Sequence, residues 1–383
     1  MMIKPRICLF TAHSPNIGGG AVILRSLTEN LKDFDIEWKY IAKTPAAGYE
    51  TGHLGTGFMG SGIINDVLNT WAMLSDRSNQ VIDQVVSQLM SVECDGYWIV
   101  SHNEGMRIAL ELSRRQRRPV HLTVHDDWEG ALCARSVRYR FMKGVARKLT
   151  VTTLKKVNTA DLISKGMQTY YQQLSGKKFD VCHRYLKPEQ VLNTGGDLYL
   201  KTEVVNVGHI GSIYKKKDFI IFLDILKEYF TARKQAVIVH MWGLKMDIND
   251  LPEYIREHVK FYNTLPESQV IPELAKCAFV YSMYPLSKEL SIFSKTSLPT
   301  KLSSYVQACR PIFGHCPADS TLAEFLDETK TGVSWTSRNK QDGFDALNKL
   351  LKTGTNNESW EAARQQYFGE KNLATMTDIF GSY

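Results

Sequence analysis

The feature that most constrains this chain is a unit that recurs along it: a short apolar run, a turn, and then apolar residues at helical spacing. Arg6-Ile-Cys-Leu-Phe10 is the first such run, followed by a turn holding Gly18-Gly19-Gly20 and a helical pattern from Ala21 to Leu27. Gly96 to Val100 precedes a helix expected over 105–116, and Val120 to Val124 runs into His125-Asp126-Asp127. Helical spacing resumes over 132–148, a short Thr-rich stretch follows, and Ala160 to Ser164 leads into a helix at 165–174. A second series starts with Glu203 to Val207 and a helix from Asp218 to Phe230, then continues through Ala236–His240, Val259–Tyr262 and Ala278–Tyr281. Continuous apolar runs bounded by turns and alternating with helices require parallel sheets with crossover helices on both faces.

The chain has 383 residues, more than one hydrophobic core supports, and its strand-and-helix series comes twice. The expected fold is α/β, two Rossmann-like domains facing each other across a cleft. The first spans 1–187, a linker spans 188–202 around Asn193-Thr-Gly-Gly-Asp197, and the second spans 203–357. A helical segment, 358–383, is expected to pack back on the first domain through the helix Trp360 to Tyr367. With 43% hydrophobic and 23% charged residues the chain is an ordinary globular one, which excludes disorder. No run of about 18 apolar residues occurs, and the opening apolar run is too short for a signal peptide, so a cytoplasmic protein is expected. Seven cysteines without any CxxC pair read as reduced thiols and exclude a zinc site.

Three segments carry chemistry. Gly18, Gly19 and Gly20 lie between strand and helix, where backbone amides and a helix N-terminus make an anion site. This is neither GxGxxG nor a Walker motif, so dinucleotide oxidoreduction is a poor reading. His125 ends a strand, at the edge that lines the ligand crevice of an open α/β sheet, and Asp126 or Asp127 is placed to fix its tautomer. Gly208-His-Ile-Gly211-Ser212 precedes Tyr214-Lys215-Lys216-Lys217, which joins a glycine turn to cations at a helix start and suits a diphosphate. The segment from Lys295 to Phe313 reads as loop, helix from Thr300 to Ala308, and a strand resuming at Pro311.

In Pro299-Thr300-Lys301-Leu302, Tyr305 and Arg310-Pro311-Ile312 the sequence resembles the donor segment of retaining family-4 (group 1) glycosyltransferases of the GT-B fold. The glycine loop, His125-Asp126, Ala160 to Ser164 and Gly208 to Lys217 fall in the matching order. The resemblance implies sugar transfer from a nucleotide diphosphate sugar to a glycan or lipid-linked acceptor, with retention, without metal or other cofactor, as in surface polysaccharide assembly. It implies catalytic roles for His125 and Asp126, and donor binding by Gly18, Gly19, Gly20, Gly211, Ser212, Lys215, Lys217, Thr300, Lys301 and Ser304. The two glutamates that many relatives carry in the donor loop, contacting sugar and ribose, are Thr296 and Ser304 here, with Glu289 nearby as a substitute. On this reading Ser304→Glu is tolerated and tightens nucleotide binding. A nucleotide-sugar epimerase of the same fold and a non-catalytic nucleotide-sugar-binding subunit are the alternatives.

The net charge of +7 and pI of 8.9 suit an anionic partner. Arg135, Arg138, Arg140, Lys143, Arg147, Lys148, Lys155 and Lys156 form a basic stretch with Val137, Phe141, Met142 and Val145 as apolar complement, which can lay a helix on the inner face of an anionic membrane. Arg114, Arg115, Arg117 and Arg118 add a second basic cluster, and the acceptor is expected to enter past Gly18–Gly20 and the segment Gly48 to Gly62. No nucleic-acid-binding module is present, so nucleic acid is not an expected partner.

Overall fold

A computed structural model describes residues 4–57, 63–75, 79–192, 203–244, 246–353 and 357–383. The centre of the expected linker, Asn193 to Asp197, and residues 58–62 of the expected acceptor-side segment lie outside the described residues. The chain forms two compact units: one of Met1–Tyr185, Thr296–Leu298 and Glu370–Tyr383, the other of Leu186–Lys295 and Pro299–Gly369.

The first unit is built on β1 (Arg6–Thr11), β2 (Asp35–Tyr40), β3 (Gly96–Val100), β4 (Val120–Val124), β5 (Thr159–Leu162) and β6 (Asp180–Val181). They pair in parallel in the order β2-β1-β3-β4-β5-β6. Every residue of β3 and β4 is buried, as expected of strands covered by helices on both faces. The chain leaves β1 in one direction and returns on its other side, so the carboxyl ends of β1 and β3 flank a topological switch point. The second unit repeats the plan with β7 (Val204–Ile210), β8 (Ala236–Trp242), β9 (Val259–Tyr262), β10 (Phe279–Met283), β11 (Ile312–His315) and β12 (Gly332–Trp335). Their order, β12-β11-β10-β7-β8-β9, puts the switch point between β7 and β10. In its core Phe222 stacks on Tyr281 with ring centroids 3.7 Å apart, and Phe313 closes against Phe222 at 5.7 Å.

Several helices begin where side chains satisfy the first free amides. Asn79 accepts from Val81 and Ile82 ahead of Gln80–Met90, Asp127 accepts from Gly130 ahead of Trp128–Arg135, and Ser164 accepts from Met167 ahead of Lys165–Ser175, which Gly176 ends in the left-handed region. The Thr-rich stretch that follows the expected helix is itself helical: Thr150 and Thr153 donate to the carbonyls of Ala146 and Leu149 and lie inside the helix Lys143–Lys156. Their hydroxyls bond back along the turn, which lets residues of low helix propensity stay helical when buried. The single helix expected over 132–148 is three pieces, with a 3-10 turn at Val137–Met142 between Trp128–Arg135 and Lys143–Lys156.

The helix Asn357–Phe368, expected on the first unit, lies in the second, where Arg364 Nη1 donates to Leu186 O at 2.7 Å. The following helix, Lys371–Phe380, lies in the first. Phe380 packs on Phe34 and Trp98 with centroids 5.6 and 5.2 Å away, and Tyr383 lies against Gly96, where a Cβ would meet its ring at 2.2 Å. Three of the four arginines of the second basic cluster are engaged: Arg114 and Arg115 pair with Glu111, Arg115 also with Asp83, and Arg118 donates to Val92 O. The six cysteines whose side chains are described are free and buried.

Two glycines in the first unit make opposite predictions. A Cβ on Gly105 would sit 1.8 Å from Val100 O, a backbone atom that cannot yield alone, whereas a Cβ on Gly144 meets nothing within 4 Å. Gly105→Ala should lower stability by about 1–3 kcal/mol, and Gly144→Ala should raise it by about 0.4–1 kcal/mol. Denaturant unfolding of both variants, monitored in the first unit, checks the two signs.

Candidate functional site

At the switch point of the second unit, β7 ends at Ile210 and the chain turns through Gly211, whose φ of +78° belongs to the left-handed region that glycine enters at no steric cost. The helix Lys301–Ala308, buried along its whole length, abuts this turn. Tyr305 ties the two together, accepting from Ile210 N at 3.2 Å and donating to Tyr281 O at 2.8 Å. Lys301 Nζ then lies 3.3 Å from Ser212 O and 3.4 Å from His209 Nε2. His209 Nδ1 lies 2.9 Å from Tyr281 O, and its Nε2 faces both the ammonium and Gly211 O, the latter at 3.3 Å. Burial, and then the neighbouring Lys301, hold His209 well below its ordinary value and keep it neutral. Burial alone pulls Lys301 down to about 7, because a desolvated ammonium has only a carbonyl and a neutral imidazole as partners. A Cβ on Gly211 would stand 3.9 Å from that ammonium.

Lys215 and Lys217 are exposed at the start of the helix Lys216–Thr231, and Lys216 pairs with Asp250 at 3.3 Å. The buried cation at the glycine turn is Lys301. Thr300 precedes the helix and is exposed. Ser304 is buried and donates to Glu267 Oε1 at 2.9 Å. The carboxylate beside Ser304 thus belongs to Glu267, at the start of the helix Glu267–Ala275, while Glu289 stands exposed on the 3-10 turn Lys288–Leu290. This overturns the expectation for Ser304→Glu, which would place a second carboxylate against the first where little water reaches. Sequence reasoning passed over Glu267 because an acidic residue in a first turn ordinarily just complements the helix dipole.

The switch point of the first unit gathers three imidazoles. A Cβ on Gly20 would lie 2.5 Å from His102 Cε1 and 3.2 Å from His125 Nδ1, so glycine is what lets both rings pack on the first turn of the helix Gly19–Thr28. That helix starts at Gly18, φ +91°, without a side-chain cap. His125 is buried, and its Nδ1 has no hydrogen-bond partner among the described residues. Burial first, and then His102, pull it down to about 3, so it is neutral at physiological pH. Asp126, exposed, partners His102 Nε2 at 3.4 Å and not His125. Asp127 is structural: it caps the following helix and accepts from Tyr171 OH, and burial pushes it up to about 6.

His102 Nδ1 in turn lies 3.0 Å from His13 Nε2, and His13 Nδ1 lies 3.2 Å from Ser14 O. This chain of three contacts ends in a carboxylate on one side and a carbonyl on the other, both acceptors, whereas two neutral rings bring two protons. Completing all three bonds takes one further proton. Burial first, and then His102, hold His13 down to about 4. His13 and His102 follow β1 and β3 at positions no spacing rule marks; the sheet order alone joins them. Among the described residues no group of three or more His, Cys, Asp or Glu side chains is placed to hold a metal ion.

Two doubly wound parallel sheets, each with a glycine turn at its switch point, define the class by architecture. No protein-family model matches the chain, and no curated protein matches its sequence. Solved structures do. HepE from Anabaena, determined with UDP and glucose, superposes with a TM-score of 0.69 at 13% identity over 99% of this chain and all of that one. Sucrose-phosphate synthase from Thermosynechococcus elongatus gives 0.67 at 10% identity over 99% of both chains. WaaG, a glycosyltransferase of lipopolysaccharide biosynthesis, gives 0.61 at 10% identity over 98% of this chain and 99% of that one. The chain has the GT-B fold of glycosyltransferases.

The buried lysine sets a pH dependence. Lys301 takes up protons at about 7 when folded and near its ordinary value of 10.5 when unfolded, so between these values the unfolded chain binds more protons. The cost of the buried charge is full below about pH 7 and is relieved as pH rises toward 10. Denaturant unfolding at pH 7 and pH 9 should therefore show a gain in stability, on the order of 1–3 kcal/mol, that Lys301→Met abolishes.

Proposed function

We propose that this chain is a glycosyltransferase that moves a sugar from a nucleotide diphosphate sugar to a glycan or lipid-linked acceptor. The observation that carries this reading is the buried Lys301 ammonium held at the Gly211–Ser212 turn in a GT-B fold. When the bond between sugar and diphosphate breaks, charge grows on the leaving oxygen, and a desolvated cation with nearby backbone amides stabilises that charge more than water does. The diphosphate supplies the anionic partner that Lys301 lacks in the free protein, so donor binding returns the lysine to its charged form. Lys215 and Lys217, exposed beside the turn, add longer-range attraction. Glu267, oriented by Ser304, offers the carboxylate that accepts from the ribose hydroxyls. His125, neutral and with its Nδ1 lone pair or hydrogen uncommitted, suits a sugar hydroxyl, and the amides of Gly18, Gly19 and Gly20 suit an anionic or hydroxyl-rich group beside it. Retention and independence of metal and cofactor follow the resemblance and belong to the same proposal, as does a place in surface polysaccharide assembly at the cytoplasmic face of a membrane.

The HepE structure holds UDP, which makes UDP the first nucleotide to test. Calorimetry at pH 6.5 should show UDP binding that Lys301→Ala weakens about tenfold or more, the loss expected for a charge-assisted contact of about 1.5–3 kcal/mol. Glu267→Gln should weaken UDP while leaving inorganic pyrophosphate unaffected. Release of UDP from UDP-glucose should depend on an added acceptor. Rapid epimerisation of donor alone would overturn the reading in favour of an epimerase, and tight UDP binding with no turnover in an acceptor panel would overturn it in favour of a binding subunit.

A further inference from the structure

The basic stretch 135–156 does not lie apolar side outward. In the helix Lys143–Lys156 the apolar residues Ala146, Leu149 and Leu154 are buried, as are Tyr139 and Met142 ahead of it, and Arg147 is bound to the carboxylate of Glu129 through Nε at 2.7 Å and Nη2 at 2.5 Å. Phe141 alone among the large apolar side chains described there points outward, 65% exposed. It does not stand by itself. On the helix Ile63–Leu74, Ile64, Leu68 and Trp71 are 76%, 59% and 41% exposed, while Thr70, Met73 and Leu74 are buried. Spacings of four and three put the three exposed residues in one stripe. Trp71 and Phe141 stack, with centroids 6.2 Å apart and planes 25° from parallel, and Tyr139 OH donates to Asp66, so the helix and the 3-10 turn Val137–Met142 are joined. Four large apolar side chains thus form one exposed ridge, and Arg138 and Arg140, both exposed, stand on either side of the buried Tyr139 in the same turn, with Lys148 exposed on the helix that follows.

An apolar ridge flanked by cations is complementary to one surface above others, a bilayer with acidic headgroups. From Ser136 through Lys148 the sequence has five Lys and Arg residues and no acid. Among the described residues, the acids Asp66, Glu129 and Glu111 on elements packed here are engaged, by Tyr139, by Arg147 and by Arg107, Arg114 and Arg115. An aromatic side chain at the level of the headgroups buries its ring at small entropic cost, since it has two rotatable bonds. Among the described residues no helix is long and apolar enough to cross a membrane, so the contact is one of lying on the surface.

We propose that the ridge Ile64–Leu68–Trp71–Phe141 seats in the headgroup layer of an anionic membrane, with Arg138 and Arg140 on lipid phosphates. This is independent of how the nucleotide is bound, so its failure leaves the catalytic reading untouched. The test is sedimentation of the full chain with phosphatidylcholine vesicles and with vesicles containing 30% phosphatidylglycerol, at low and high salt. Wild type should partition to the anionic vesicles about tenfold or more over the neutral ones at low salt, with part of the binding surviving at high salt, where Coulomb attraction is screened and apolar insertion is not. Trp71→Gln with Phe141→Gln should remove the salt-resistant part, and Arg138→Gln with Arg140→Gln should remove the preference for anionic lipid; all four positions are at the surface, and unchanged thermal transitions confirm folded variants. Equal partition of wild type to both vesicles, or wild-type binding by the Trp71, Phe141 variant, would overturn the proposal. So would a wild-type dimer in sedimentation equilibrium that the same variant converts to monomer, which would give the ridge to a second copy of the chain.

Discussion

A parallel strand cannot pass directly to its neighbour; the chain must cross the sheet, and it does so through a helix that covers one face. Both sheets here obey that constraint, which leaves their central strands buried on both faces. What remains for polar chemistry is the edge where strands stop. At the two switch points the crossovers diverge, and the side chains just beyond β1 and β3 in one unit, and β7 in the other, gather in the opening. The imidazoles at Gly20 and the ammonium at Gly211 occupy those places because of strand order.

The two gatherings differ electrostatically. In the second unit a single ammonium is kept dry beside groups that cannot neutralise it, so the free protein holds a cation below its ordinary affinity for protons. In the first, a carboxylate, two linked imidazoles and a carbonyl form one chain of contacts, next to a third imidazole that burial keeps neutral and whose Nδ1 has no hydrogen-bond partner among the described residues. Both are incompletely satisfied in ways an anionic, hydroxyl-bearing ligand relieves. Buried polar groups elsewhere in the molecule are more often tied to fixed partners, as Asp161 is by His121 and Thr123.

The alternation of apolar runs and helical spacing made the fold legible: the strands at 96–100, 120–124 and 259–262 have the bounds the residues themselves announce. The edge strand Asp35–Tyr40 went unread because only one side of it is buried and charged residues interrupt it, as edge strands require. The helical spacing read over 132–148 stopped short of Thr150 and Thr153, which lie buried and back-bonded inside the helix Lys143–Lys156. In the site, Lys301 was legible through the proline-threonine-lysine turn that opens its helix. Glu267, His102 and His13 were not, since each reaches its partner across 37 to 89 residues of chain and only three-dimensional pairing joins them.

The helix Lys371–Phe380 belongs to the unit that the chain begins, although the whole second unit is made between them. A ribosome releases residues in order, so the sheet holding Trp98 stays open on the side that Phe380 fills until the last of the second unit has emerged. The first unit must wait, half covered, while its neighbour is synthesised. Completion of the first unit therefore reports that the second has been made, and an interrupted chain is marked by exposed apolar surface, the feature that chaperones and proteases act on.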